Sequence, residues 1–157
     1  MKKLLGLITI VVMICAQTFL VSADSFETEE RVVSVERQYL ENGDYIETII
    51  TESPIASYAS NTKTGSKTSQ YCNSGVALWY VKVTGTFTYT GSSVYCTGAS
   101  VTAGSYHSDW GVSNRSSSYS GNIATAKATG RRYYGNTAVE RINETVHLSC
   151  SVNGSLY

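Results

Sequence analysis

The chain has 157 residues, with one proline, four cysteines, twelve tyrosines and two tryptophans, and its twelve Lys/Arg balance twelve Asp/Glu. That length suits one domain with a modest core. No stretch concentrates positive charge enough to serve as a nucleic-acid surface, so nucleic acid is not an expected partner.

Lys2 and Lys3 precede an apolar run from Leu4 to Cys15 that continues through Phe19, Leu20 and Val21. Val21-Ser22-Ala23 suits the positions a signal peptidase reads, so residues 1–23 are expected to be a signal peptide cleaved after Ala23. An uncleaved membrane anchor is the rival, because the run approaches spanning length. Lipidation at Cys15 is disfavoured by the bulky Ile14 before it. The expected product is secreted, runs from Asp24 to Tyr157 and has 134 residues. It contains no later segment apolar enough to span a bilayer. Its charge is uneven: residues 24–52 carry nine acids and two bases, whereas residues 53–157 carry three acids and eight bases. An acidic arm lying against a basic body is the preferred reading of that asymmetry.

Residues 24–30 read as a fraying start. Arg31 to Thr51 reads as a hairpin whose turn is Glu41-Asn42-Gly43-Asp44, since Asn-Gly is a strong short hairpin signal; a helix over 26–40 is the competing reading. Pro54 opens a stretch poor in apolar residues, and 53–74 is expected to be a long polar loop, with a short helix at 54–60 or a functional loop as alternatives. From Gly75 to Val101 the pattern changes. Ala77, Trp79, Val81, Val83, Gly85, Phe87 and Tyr89 alternate with Lys82, Thr84, Thr86, Thr88 and Thr90, which is a strand with one buried face. A turn at Thr90-Gly91-Ser92-Ser93 leads to a second strand over 93–103.

Tyr106 to Val112 reads as a third strand, Asn114 to Ser118 as a polar turn, and Tyr119 to Gly130 as a strand with Ala124, Ala126 and Ala128 on one face, which Gly121 and Gly130 favour over a short helix. Arg131 to Asn136 reads as a loop or hairpin region, with a turn signal at Gly135-Asn136. Ala138 to Val152 is the last strand, with Ile142, Glu144, Val146, Leu148 and Cys150 on one face. A glutamate in that apolar row predicts a bulge, or a strand beginning beyond it. Six to eight short strands with turn signals between them give an all-β chain, an antiparallel β-sandwich or small barrel. Its expected core is Trp79, Val81, Val83, Phe87, Val101, Trp110, Ile123, Val146 and Leu148.

Candidate chemistry is sparse. Once the signal is removed, Cys72, Cys96 and Cys150 remain. A structural disulfide is expected between Cys96 and Cys150, with a pair using Cys72 as the alternative and a dimer through the odd thiol a further consequence. His147 lies three residues from Cys150, so a strand points the two apart and disfavours a Cys-His dyad. His107 and Asp109 share a parity, yet a zinc site requires three or four ligands, so no metal or cofactor is expected. Glu140 and Glu144 are the carboxylates to weigh for glycoside hydrolysis. The best exposed binding candidate is Arg131, Arg132, Tyr133 and Tyr134, where tyrosine supplies contact area and arginine directional donors. Tyr71, Tyr89, Tyr95, Tyr106 and Tyr119 are a second aromatic set.

The signal and the style of strand resemble small secreted β-proteins of Gram-positive bacteria, and this resemblance carries no functional residue across. The expected function is a secreted, non-enzymatic β-sandwich that binds a protein or a cell-envelope glycan through surface loops. A membrane-active or pore-forming protein is the alternative, because the amphipathic hairpin over 81–101 has the grammar of a membrane barrel strand. A small hydrolase using His107, Asp109 and His147 ranks third.

Overall fold

The computed structural model describes residues 30–54 and 61–157. The expected signal peptide, most of the fraying start and most of the proposed helix at 54–60 lie outside the described residues. Eight strands follow in order: β1 Arg31–Tyr39, β2 Tyr45–Glu52, β3 Thr62–Asn73, β4 Val76–Tyr89, β5 Val94–Ser105, β6 Trp110–Ser120, β7 Ile123–Tyr134 and β8 Thr137–Ser149. They form two antiparallel sheets, β1-β2-β3-β4-β5 and β6-β7-β8, packed as a β-sandwich. No helix among the described residues is long and apolar enough to cross a membrane.

The alternation read in β4 holds. Trp79, Val81, Val83 and Phe87 are all buried, with Val81, Val83 and Phe87 fully so. Across from them the second sheet offers Ala124, Ala126, Ala128, Val146 and Leu148. Large side chains on one sheet therefore meet small ones on the other. At Gly130 of β7 a Cβ would lie 2.4 Å from the Trp79 ring, so the absence of a side chain there is what lets the indole lie flat on β7. Burying a side chain such as Phe87 or Leu148 stabilises the fold by about 1.5–3 kcal/mol.

The turn chemistry is equally local. Ser74 and Gly75 both have positive φ, 49° and 85°, the pair that a tight hairpin between twisted strands requires. Asn42-Gly43 makes the β1–β2 turn, with Gly43 at φ 86° and Leu40 N–H donating to Asp44 O at 2.8 Å. Where β5 and β6 run side by side, side chains reach the neighbouring backbone. Arg115 Nε donates to Ala103 O at 2.9 Å, and Ser117 Oγ donates to Ala99 O at 3.3 Å.

Several expectations are corrected. The polar loop at 53–74 is in large part β3, the middle strand of the larger sheet. Its inward positions are Gly65, Lys67, Ser69 and Tyr71 by register with β4, so only one of the four is an apolar signal. Residues 114–118 do not end a strand; β6 continues through them over a register shift between Ser113 and Ser116, with Asn114 at φ 53°. Of the two readings of 131–136 the hairpin holds: 131–134 end β7, and Gly135-Asn136 is the turn into β8. Glu144 points inward with no bulge at its position; the shift lies between Arg132 and Tyr133 and their β8 partners. Ile123 is exposed, because the alanines occupy the inner face of β7.

The expected Cys96–Cys150 bridge is not formed: Cys72, Cys96 and Cys150 are buried free thiols. Cys96 and Cys150 approach the β6–β7 turn from opposite sheets, where Cys96 N–H donates to Gly121 O at 2.7 Å and Cys150 N–H to Asn122 O at 3.2 Å. Each thiol turns to a nearby backbone carbonyl, Gly98 O at 3.3 Å and Ser151 O at 3.4 Å. Burial pushes all three thiols above the usual cysteine range, which disfavours the reactive thiolate.

A cleft at one end of the sandwich

The β1–β2 turn, the β3–β4 hairpin, the β5–β6 connection and the β7–β8 hairpin gather at one end of the sandwich. Between them lies a cleft of about 280 Å³ lined by nine residues from these elements. The floor is aromatic. Trp110, the first residue of β6, stacks on Trp79 at 6.2 Å and meets Tyr71 at 5.5 Å. The connection carrying His107 and Asp109 is tied down on both sides. His107 N–H and Tyr106 N–H donate to Leu78 O of β4, and Tyr133 N–H of β7 donates to Asp109 O at 2.7 Å.

Asp44 forms one wall. Its buried carboxylate accepts hydrogen bonds from the Tyr71 hydroxyl, from Asn73 Nδ2 and, at 2.8 Å, from Asn42 Nδ2. The Tyr71 hydroxyl is the main reason its carboxyl is held below the usual aspartate range. Burial first, and Asp44 second, push Tyr71 up to about 12. At neutral pH the pair is therefore a carboxylate and an intact phenol.

The opposite wall is freer. Arg132 Nη1 lies 3.6 Å from Glu140 Oε2, with 56% and 35% of the two side chains exposed. His107 Nδ1 accepts from Asp109 N–H at 3.2 Å, and the Asp109 carboxylate is 3.8 Å from the same nitrogen. Exposed ion pairs of this kind are weak, so Arg132, Glu140 and Asp109 can turn to an incoming polar ligand at little cost. Among the described residues, no serine, cysteine or lysine lines the cleft. No three His, Cys, Asp or Glu side chains among the described residues come together in a way that would hold a metal ion.

The four residues 131–134 alternate along β7 and do not make one patch. Arg132 faces into the cleft, Tyr133 packs over Gly111 of β6, and Tyr134 is 84% exposed. Of the hydrolase candidates, His107 and Asp109 line the cleft, whereas His147 bonds Thr125 Oγ1 at 2.9 Å on the outer side of the smaller sheet. Glu140 and Glu144 share the inner face of β8 four residues apart. That sets their Cα atoms about 13 Å apart at an extended rise, a spacing that does not favour paired catalytic carboxylates. The second aromatic set is dispersed too: Tyr71 is core, Tyr89 packs on Gly154, and Tyr106 stacks on Tyr80 at 5.1 Å.

Sequence reasoning missed Asp44, Asn73 and Glu140 as partners in one site. By sequence Asp44 is only a turn residue, and nothing local says that Tyr71 would meet it. The chain matches no protein-family model, no curated protein and no solved structure.

Proposed function

We propose that the protein is an exported, non-enzymatic β-sandwich whose end cleft binds a hydroxyl-rich glycan of the cell envelope. The observation that carries this reading is the composition of the cleft: the acceptors Asp109 and Glu140, the directional donor Arg132 and the amide of Asn73 surround an aromatic floor of Trp110 and Tyr71. Ring faces with a few convergent polar groups suit a polyhydroxylated ring. The volume of about 280 Å³ lies near the lower end of small-ligand sites, which run from about 300 to 1,000 Å³, and so favours a short sugar unit. Export rests on the apolar leader and the Val21-Ser22-Ala23 site.

The test is calorimetric titration of the purified exported chain with solubilised peptidoglycan fragments and, separately, with teichoic-acid fragments. Saturable binding that falls at least tenfold in both Asp109→Ala and Arg132→Ala supports the reading. No binding to either preparation, or binding that both variants retain, overturns it.

A further inference from the structure

The larger sheet has five strands and the smaller three, so one side of the larger sheet is not covered by a full-length strand. The smaller sheet packs over β3, β4 and β5, with β8 nearest β3. That leaves β1 and β2 as a shelf beyond β8, two strands or about 10 Å wide at ordinary strand spacing.

One end of the position beside β8 is already occupied by a short extended segment. Ser149 and Tyr157 exchange both backbone hydrogen bonds, Ser149 N–H to Tyr157 O at 2.9 Å and Tyr157 N–H to Ser149 O at 3.0 Å. Leu156 bridges antiparallel to Cys150 and lies against Gly65 of β3. Cys150 N–H, by contrast, points to Asn122 on the β7 side. Along an antiparallel strand the backbone groups alternate sides. The odd residues Arg141, Asn143, Thr145 and His147 therefore face away from β7, as Ser149 does, and β8 has no strand partner on that side among the described residues.

Two further features lie along the same edge. A gap of about 10 Å³ between the sheets is lined by Ile46, Ile142, Ser69, Glu144, Tyr71 and Trp79. Trp79 is 2% exposed, and its Nε1 has no hydrogen-bond partner among the described residues. At the start of β8, a depression of about 380 Å³ is formed by Arg131 and residues Ala138 to Arg141.

We propose that the free edge of β8, above the β1–β2 shelf, is a site of β-strand addition. The occupant is an extended peptide segment of another protein, running antiparallel to β8 opposite Arg141 to His147 in line with the Ser149–Tyr157 pairing. Its backbone takes the outward N–H and C=O groups of the four odd residues. Its alternate side chains face Ile46 and Thr48 of β2, so that face is apolar, with one small hydroxyl-bearing residue at the gap beside Glu144 and Trp79. A second copy paired antiparallel through its own β8 does not fit, because the β1–β2 shelves of the two copies would then lie on the same side and overlap.

The experiment uses the purified exported chain and a phage-displayed random dodecapeptide library. Recovered sequences are made as synthetic peptides, unmodified and with N-methyl groups on every second amide. Hydrogen exchange of the β8 amides is followed by NMR. In the free protein, Asn143, Thr145 and His147 amides exchange at least 100-fold faster than Glu144 and Val146. The unmodified peptide slows the fast set at least tenfold, and one of the two N-methyl phases abolishes the effect. Thr145→Pro removes only an outward donor on an edge strand, where proline is tolerated; this variant melts near wild type and loses peptide binding. Four results would overturn the proposal: no enriched sequence, peptides that protect only the cleft residues, odd amides already slow in the free monomer, or a dimer in sedimentation whose β8 edge is protected without peptide.

Discussion

Ser69 Oγ of β3 donates a 2.9 Å hydrogen bond to Glu144 Oε1 of β8, joining the two sheets inside the sandwich. A carboxyl in an otherwise apolar row is thereby tolerated. Burial raises it above the usual glutamate value, and the Ser69 bond offsets only part of that. A carboxyl whose folded value is raised contributes its stability fully below the unfolded value of 4.5 and loses it as pH rises through the folded value. Glu144→Gln keeps an acceptor for Ser69 and removes the charge. It should be more stable than wild type at pH 8 and indistinguishable at pH 4, read by urea unfolding at both pH values. A difference independent of pH would refute this account.

Asp44 behaves in the opposite sense. Its folded value is lowered, so its contribution is present above the unfolded value of 3.8 and is lost as pH falls through the folded value. Asp44→Ala leaves the Tyr71 hydroxyl and the Asn73 amide without their acceptor and should cost about 3 kcal/mol at pH 7. Its unfolding free energy between pH 6 and pH 2 should fall less steeply than that of wild type.

The close approach of Trp79 to Gly130 sets a steric prediction. Gly130→Ala places a methyl group 2.4 Å from the indole, which is itself held by Trp110 at 6.2 Å. Overpacking of this kind should cost about 1–3 kcal/mol. Gly98→Ala is the control, since nothing lies within 4 Å of its added carbon. It should be neutral or gain about 0.5 kcal/mol from strand propensity. Thermal melts of the two variants would show the contrast.

Export is checked by mass. The chain recovered from the culture medium should correspond to Asp24–Tyr157. A full-length chain retained with the membrane fraction would instead identify residues 1–23 as an anchor.

The buried thiols make a kinetic prediction. Cys72, Cys96 and Cys150 should alkylate at least 100-fold more slowly in the native chain than in 6 M guanidinium. Fast native reaction at any of them would contradict its burial.

The legible parts of the fold were those whose cause is local. The inner row of β4, from Trp79 to Phe87, announces itself because each inward residue is large and apolar and each outward one is polar. The Asn42-Gly43 turn and the small-residue face of β7 were readable for the same reason. β3 was not, because what makes Ser69 and Gly65 inward residues is Glu144 and Leu156, 75 residues or more further along the chain. A serine and a glycine carry no sign of burial until their partners arrive. The cleft was hidden in the same way, since Asp44, Asn73, Asp109, Arg132 and Glu140 come from four separate connections or their borders.

The sequence by itself determined an all-β chain with its strongest strand at β4, because period-two burial and turn residues act over a few residues. Only the tertiary structure decided that five strands face three, that Cys96 and Cys150 stay apart, and that Glu144 is enclosed while Glu140 opens to a cleft. Those outcomes depend on which sheet lies over which, and that is set by the fit of Trp79 and Phe87 against Gly130 and the alanines of β7, not by any short stretch of chain.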